Sequence, residues 1–174
     1  MLKINRLRLA VVLAGTLLAP AYAQTQSPNA RSGQTTAADV GAIENVIRGI
    51  FSNFARGNPA GIEAAESADV TVWDVFTPQL IQGQKALKEF HAADKAQMQS
   101  RGTLRLNVED GMVIDVWGDT AVARYYINFT YDPPNATSGR IRITDVLRRI
   151  DAQWLVVHHH EGTVPTGVPA IATP

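Results

Sequence analysis

The sequence has no cysteine among its 174 residues. That absence excludes disulfides as a source of stability and thiolate zinc sites as a source of chemistry, so the fold must rest on its apolar core. A charge excess is lacking too: 16 Lys and Arg balance 16 Asp and Glu. No basic stripe marks the chain for nucleic acid. The uncharged apolar run at 9–19 is too short to cross a bilayer, for which about 20 residues are needed. Histidine is scarce, yet three of the four stand together at 158–160, the fourth being His91.

What is present begins with an export leader. Lys3, Arg6 and Arg8 precede the apolar run, and Ala21-Tyr22-Ala23 is a small-x-small cleavage site. The expected mature protein starts at Gln24, is periplasmic or secreted, and keeps no stable membrane anchor. Removing three basic residues leaves a net charge of 13 − 16 = −3. Residues 24–37 are polar, with Pro, Gly and Ser, and read as a flexible linker; 164–174 form a Pro-rich tail. One domain of suitable size for a single core lies between, at 38–163.

Within it, Val40, Ile43, Val46, Ile47, Ile50, Phe51 and Phe54 recur at helical spacing. Asn58-Pro59 ends that helix and starts a short second one. Residues 69–76, "DVTVWDVF", read as a strand stopped by Pro78, and 83–99 as a third helix. From 103 the period becomes two. Turn chemistry at Glu109-Asp110-Gly111, Gly118-Asp119 and Asp151-Ala152-Gln153 then predicts an antiparallel meander. Helices followed by strands predict an α+β domain with the helices on one face of a curved sheet.

The stretch "TDVLRRIDAQWLVVHHHEG" (144–162) resembles the C-terminal signature of SnoaL-like domains in the nuclear transport factor 2-like superfamily. It is similar also to the association domain of calcium/calmodulin-dependent protein kinase II, and "LIQGQKALKEF" resembles the family's short strand, Gly and helix. The resemblance implies a cone-shaped, strongly curved antiparallel sheet wrapped around the N-terminal helices. It also implies a cavity at the cone's wide end and a homodimer or larger homo-oligomer formed through the sheet's outer face. Isomerases, dehydratases, ligand binders and oligomerisation domains share this fold, so function has to be read from the site.

Asp145 is the most informative position. It alternates in phase with Ile141, Ile143 and Leu147, so a carboxylate falls among inward apolar residues and needs a partner or a raised pKa. An ion pair with Arg124 or a histidine would meet that need. The kinase domain has an arginine at this place, so its binding of anionic ligands does not carry over. On the preceding strand Arg124, Tyr126 and Asn128 form the more polar face, and alignment with the kinase pocket turns them toward the cavity. The opposite arrangement, with Tyr125 in the core, is the alternative. Trp73 and Asp74 alternate, so only one of them faces inward. On the last strand, alternation puts His158 and His160 with Trp154 and Val156, and His159 and Glu161 opposite. A metal there would require a third ligand that the sequence does not supply. The pair therefore reads as a packed strand end or a pocket acid, base or donor.

Together these residues predict an exported domain that binds a small, largely apolar molecule and forms a homo-oligomer, without cofactor or metal. Asp145, Tyr126 and His158 are the candidate catalytic set, and Trp73, Asp74, Arg124, Asn128 and His160 the candidate ligand contacts. Isomerase- or lyase-type acid/base activity and a non-catalytic association module with a vestigial pocket both stay open.

Overall fold

The computed structural model describes residues 36–165. The expected export signal, and nearly all of the expected linker and tail, lie outside them. Three helices come first: α1 (Ala37–Ala55), α2 (Pro59–Glu63) and α3 (Gly83–Arg101), with β1 (Glu66–Trp73) and β2 (Ile81–Gln82) between the second and third. Five strands follow: β3 (Leu104–Val108), β4 (Val113–Trp117), β5 (Thr120–Tyr131), β6 (Thr137–Ile150) and β7 (Gln153–Thr163). Among the described residues no helix is long and apolar enough to cross a membrane.

The helix boundaries follow from local chemistry. Thr36 caps α1, its hydroxyl oxygen accepting the Asp39 N–H at 3.0 Å. Pro59 occupies the start of α2, where a missing N–H costs nothing. The apolar period of α1 buries Ile43, Ile47 and Phe51 against the sheet. β1 lies earlier than the 69–76 expected from composition. It ends at Trp73 because the Asp74 carboxylate accepts the Phe76 N–H at 2.7 Å, turning the chain out of the sheet.

The strands form one strongly curved, mostly antiparallel sheet in the order β2-β1-β7-β6-β5-β3, with β4 also on β5. Two pairings differ from a simple meander. β3 pairs with Ile127–Tyr131 and β4 with Thr120–Arg124, so the two share one edge of β5 and not each other's. β1 runs parallel to β7, which brings the end of the helical half beside the last strand.

Two features decide which side chains face the helices. On β5, Ala121, Ala123, Tyr125 and Ile127 are buried in the core that holds Ile43, Ile47 and Phe51. Arg124, Tyr126 and Asn128 consequently point to the outer face, opposite to the inward placement expected from the kinase alignment. Only the Ala and Ile face is small and apolar enough to receive α1. On β7, Leu147 pairs with Val156 while Val146 pairs with His158, leaving Val157 as an extra residue. Such a bulge reverses the alternation beyond it. Trp154 and Val156 point inward, but His159 and Glu161 join them in place of the expected His158 and His160, which turn outward.

The β6–β7 hairpin turns on Asp151 and Ala152, at φ 47° and 65°. Left-handed conformation is costly for alanine and free for glycine. Ala152→Gly should therefore raise stability by about 0.5–1 kcal/mol in urea unfolding, after the entropy of the freer unfolded chain is subtracted. A loss of stability would contradict this turn geometry.

Candidate functional site

Register assembles the site's centre. β6 and β7 set Asp145 directly opposite His159, and β5 and β6 set Asp145 opposite Ala123. The small Ala123 leaves room for Tyr125, two residues along, to reach Asp145 diagonally. Tyr125 Oη donates to Asp145 Oδ2 at 2.7 Å, and Asp145 Oδ1 lies 2.6 Å from His159 Nδ1. His159 Nε2 is 3.2 Å from Glu161 Oε1, and Glu161 Oε2 accepts the Val75 N–H at 3.2 Å. Phe51 of α1 covers the group, its ring centroid 6.0 Å from that of Tyr125 and 6.3 Å from that of His159.

Asp145 is 1% exposed. A carboxylate so buried is tolerable only if both oxygens are satisfied, and here Tyr125 and His159 satisfy them. Burial alone would strip the proton from His159, but Asp145 and Glu161 outweigh it and hold the imidazole well above its usual value. It is an imidazolium, donating from both nitrogens. Burial pushes Glu161 up, and the His159 bond and charge pull it further down, so it ends below the ordinary carboxylate range. Burial and the Asp145 charge raise the Tyr125 phenol, which stays protonated as a donor. The chain Tyr125, Asp145, His159, Glu161 thus carries two negative charges and one positive.

The group forms one wall of an open cavity of about 260 Å³ between α1, α2, α3 and the sheet. This is close to the lower end of small-molecule sites, about 300 Å³. Phe51, Phe54, Phe76, Phe90 and Phe129 give the cavity an aromatic lining, and Glu66, Asp74, His91 and Asp94 bring further polar groups to it. Glu66 is 8% exposed, and its Oε2 has no hydrogen-bond partner among the described residues. Burial raises Glu66 to about 7, His159 opposing and Asp145 and Glu63 reinforcing. Burial, with Glu161, raises Asp74 to about 6. Burial lowers His91, whose Nδ1 is also without a partner. At neutral pH the groups able to take or give a proton here are therefore Glu66 and Asp74, while His159 is committed to its two carboxylates.

Of the residues singled out by sequence, the structure brings Asp145 and Asp74 to the cavity, and the partner of Asp145 is a histidine. Trp73 points away from it, 40% exposed. Tyr126, Arg124, Asn128, His158 and His160 lie on the outer face. There Arg140 sits 3.7 Å over the Tyr126 ring, Arg124 pairs with Asp115, Asn128 donates to Glu109 at 2.8 Å, and His158 Nδ1 is 2.8 Å from Thr71 Oγ1. The two outer histidine rings are 6.4 Å apart. Sequence reasoning missed His159, Glu161, Tyr125, Glu66 and His91. Asp145 was the available signal for Tyr125 and His159, since a buried acid demands donors on the adjoining strands. Nothing local marks the bulge at Val157 or the burial of Glu66.

This combination of helices and a strongly curved, mostly antiparallel sheet is the nuclear transport factor 2-like, or cystatin-like, fold. The chain belongs to the SnoaL-like domain family, whose profile matches residues 43–166. A nuclear transport factor 2-like protein of unknown function from Pseudomonas putida superposes with a TM-score of 0.67 at 20% identity, over 75% of this chain and 89% of that one. A candidate dehydratase of the same fold family from Streptomyces avermitilis gives 0.64 at 19%, over 74% and 98%. The calcium/calmodulin-dependent protein kinase II hub of S. rosetta gives 0.59 at 19%, over 71% and 95%. At these identities the likeness is one of fold. Among curated proteins no sequence matches the chain.

The raised Glu66 has a consequence for stability. Folded, it keeps its proton to about pH 7; unfolded, it loses it near 4.5. The folded state thus binds more protons between those values, and stability falls as pH rises across the window. Glu66→Gln removes that loss. In urea unfolding the variant should be more stable than the parent by roughly 2 kcal/mol at pH 8, with the gap narrowing at pH 5. A less stable variant at pH 8 would mean that the ionised carboxylate has a partner.

Proposed function

We propose that the domain binds a small, largely apolar molecule in its cavity, with the ligand's polar group set against Glu66, Asp74 and the Tyr125, Asp145, His159, Glu161 chain. The observation that carries this reading is the aromatic cavity ending on a buried carboxyl group, Glu66, whose Oε2 has no hydrogen-bond partner among the described residues. A native protein rarely leaves such a group without use. The same two carboxyls, raised to about 7 and about 6, equip the cavity for isomerase- or lyase-type proton transfer, since a group near neutrality serves equally as acid and base. A candidate dehydratase and a protein kinase hub on this fold fit both halves of the reading, catalysis and assembly.

A second reading concerns the opposite face of the sheet. Val113, Trp117 and Tyr126 are 55%, 60% and 39% exposed there, which favours a homodimer or larger homo-oligomer formed through β4 and β5. Binding and assembly are compatible because they use opposite faces. The basic leader and its cleavage site support export to the periplasm or beyond.

Native mass spectrometry on protein recovered from an exporting host tests these readings at once. The expected result is a chain beginning at Gln24, in an even-numbered assembly, carrying extra mass that is lost on denaturation. Ala93 lines the cavity from an exposed position on α3, so Ala93→Trp should block the cavity without disturbing the core and remove most of that mass. Extra mass unchanged by Ala93→Trp would place the ligand elsewhere. A strict monomer would count against assembly.

A further inference from the structure

The cavity's polar lining is dominated by one sign of charge. Its carboxyl groups come from every side: Glu66 and Asp74 at the ends of β1, Asp94 on α3, Asp145 on β6 and Glu161 on β7. Among the described residues no lysine or arginine lines it. The one imidazolium, His159, is already shared between Asp145 and Glu161. His91, the other histidine, is held toward neutrality by burial. Nearby on α2, Glu63 is paired with Lys88 at 3.0 Å. Among the described residues, and leaving Asp94 aside, Glu66, Asp74, Asp145 and Glu161 therefore share a single imidazolium.

Such an excess of carboxyl groups has two outlets, a proton or a cation. Glu66 is more than one member of a cluster, because it is only 8% exposed and its Oε2 has no partner among the described residues. A proton silences that carboxyl without giving its second oxygen a hydrogen bond; an ammonium or guanidinium N–H gives both charge and bond. The rest of the wall suits the same visitor. Phe51, Phe54 and Phe90 present aromatic surface, which attracts a cation and accommodates an apolar body.

We infer that the cavity selects a small organic cation, an ammonium or guanidinium head on an apolar body, with the head against Glu66. This rests on the binding reading given above and specifies the ligand's charge. Below about pH 7 the cation displaces the proton that Glu66 holds, so binding there releases a proton and weakens as pH falls. Asp145, His159, Glu161, Glu63, Asp94 and His91 set the field in which this exchange occurs, and Tyr125 stays protonated throughout.

Calorimetry with three probes on one ring, benzylamine, benzyl alcohol and benzoate, separates the alternatives at pH 8. The expected order is benzylamine at least about tenfold tighter than benzyl alcohol, with benzoate weakest, as one buried charge-assisted hydrogen bond provides. The benzylamine advantage should shrink between pH 8 and pH 5.5, and in Glu66→Gln the amine-to-alcohol ratio should fall toward one. Equal or tighter binding of benzyl alcohol by the parent protein would overturn the cation assignment and leave the binding cavity standing. Absence of binding by all three probes would overturn both.

Discussion

Everything at the centre of this protein depends on keeping Asp145 charged inside the sheet. An isolated buried carboxylate is untenable, so the neighbouring strands must deliver donors to both oxygens. β5 delivers Tyr125 and β7 delivers His159. The second donor is available only because Val157 is extruded as a bulge, since an unbroken alternation would put His158, and not His159, under Phe51. The bulge, the register of two strand pairs and the small Ala123 all serve the same requirement.

Satisfying Asp145 creates the next imbalance. His159 becomes an imidazolium, and Glu161 is drawn in to share it. Burial first, and then the Glu161 charge, raises Asp74. Burial raises Glu66, with His159 opposing and Asp145 adding a smaller push upward. A set of this kind contributes little net stability, because desolvating the charges offsets their attraction. Its worth lies in fixing polar atoms at one wall of an otherwise aromatic cavity. The outer face shows the opposite economy: Arg140, Glu109, Asn128 and Tyr126 form an exposed lattice whose ion pairs are screened by solvent.

The fold was legible because its signals are periodic and local. Ile43, Ile47 and Phe51 mark one face of α1, Pro59 and Gly118-Asp119 mark breaks, and the Trp-to-histidine stretch carries a family signature. The site was legible only at Asp145 and Asp74. A period of two sorts residues into two faces but does not say which face is covered, so Tyr125 and Tyr126 were separated correctly and oriented wrongly. The bulge has no glycine or proline to announce it, and one extra residue exchanges His158 for His159. Glu66 looks like the polar start of an ordinary strand. It is buried because β1 runs parallel to β7 there, pairing Glu66 with Val156, a long-range fact without local trace. The lesson is physical: alternation predicts neighbours well and absolute orientation poorly, and a misplaced acid is the better guide to its partners than the partners are to themselves.

Nitrogen NMR on histidine-labelled protein at pH 7.5 tests the central claim most directly, by reading the protonation of His159. The account predicts an imidazolium with both ring nitrogens protonated, while His158, lowered by burial and by its charged neighbours, titrates below the usual histidine value. A neutral His159 with a single protonated nitrogen would contradict it, because Asp145 would then lack the cation that allows it to stay charged and the electrostatics of the whole cavity would have to be redrawn.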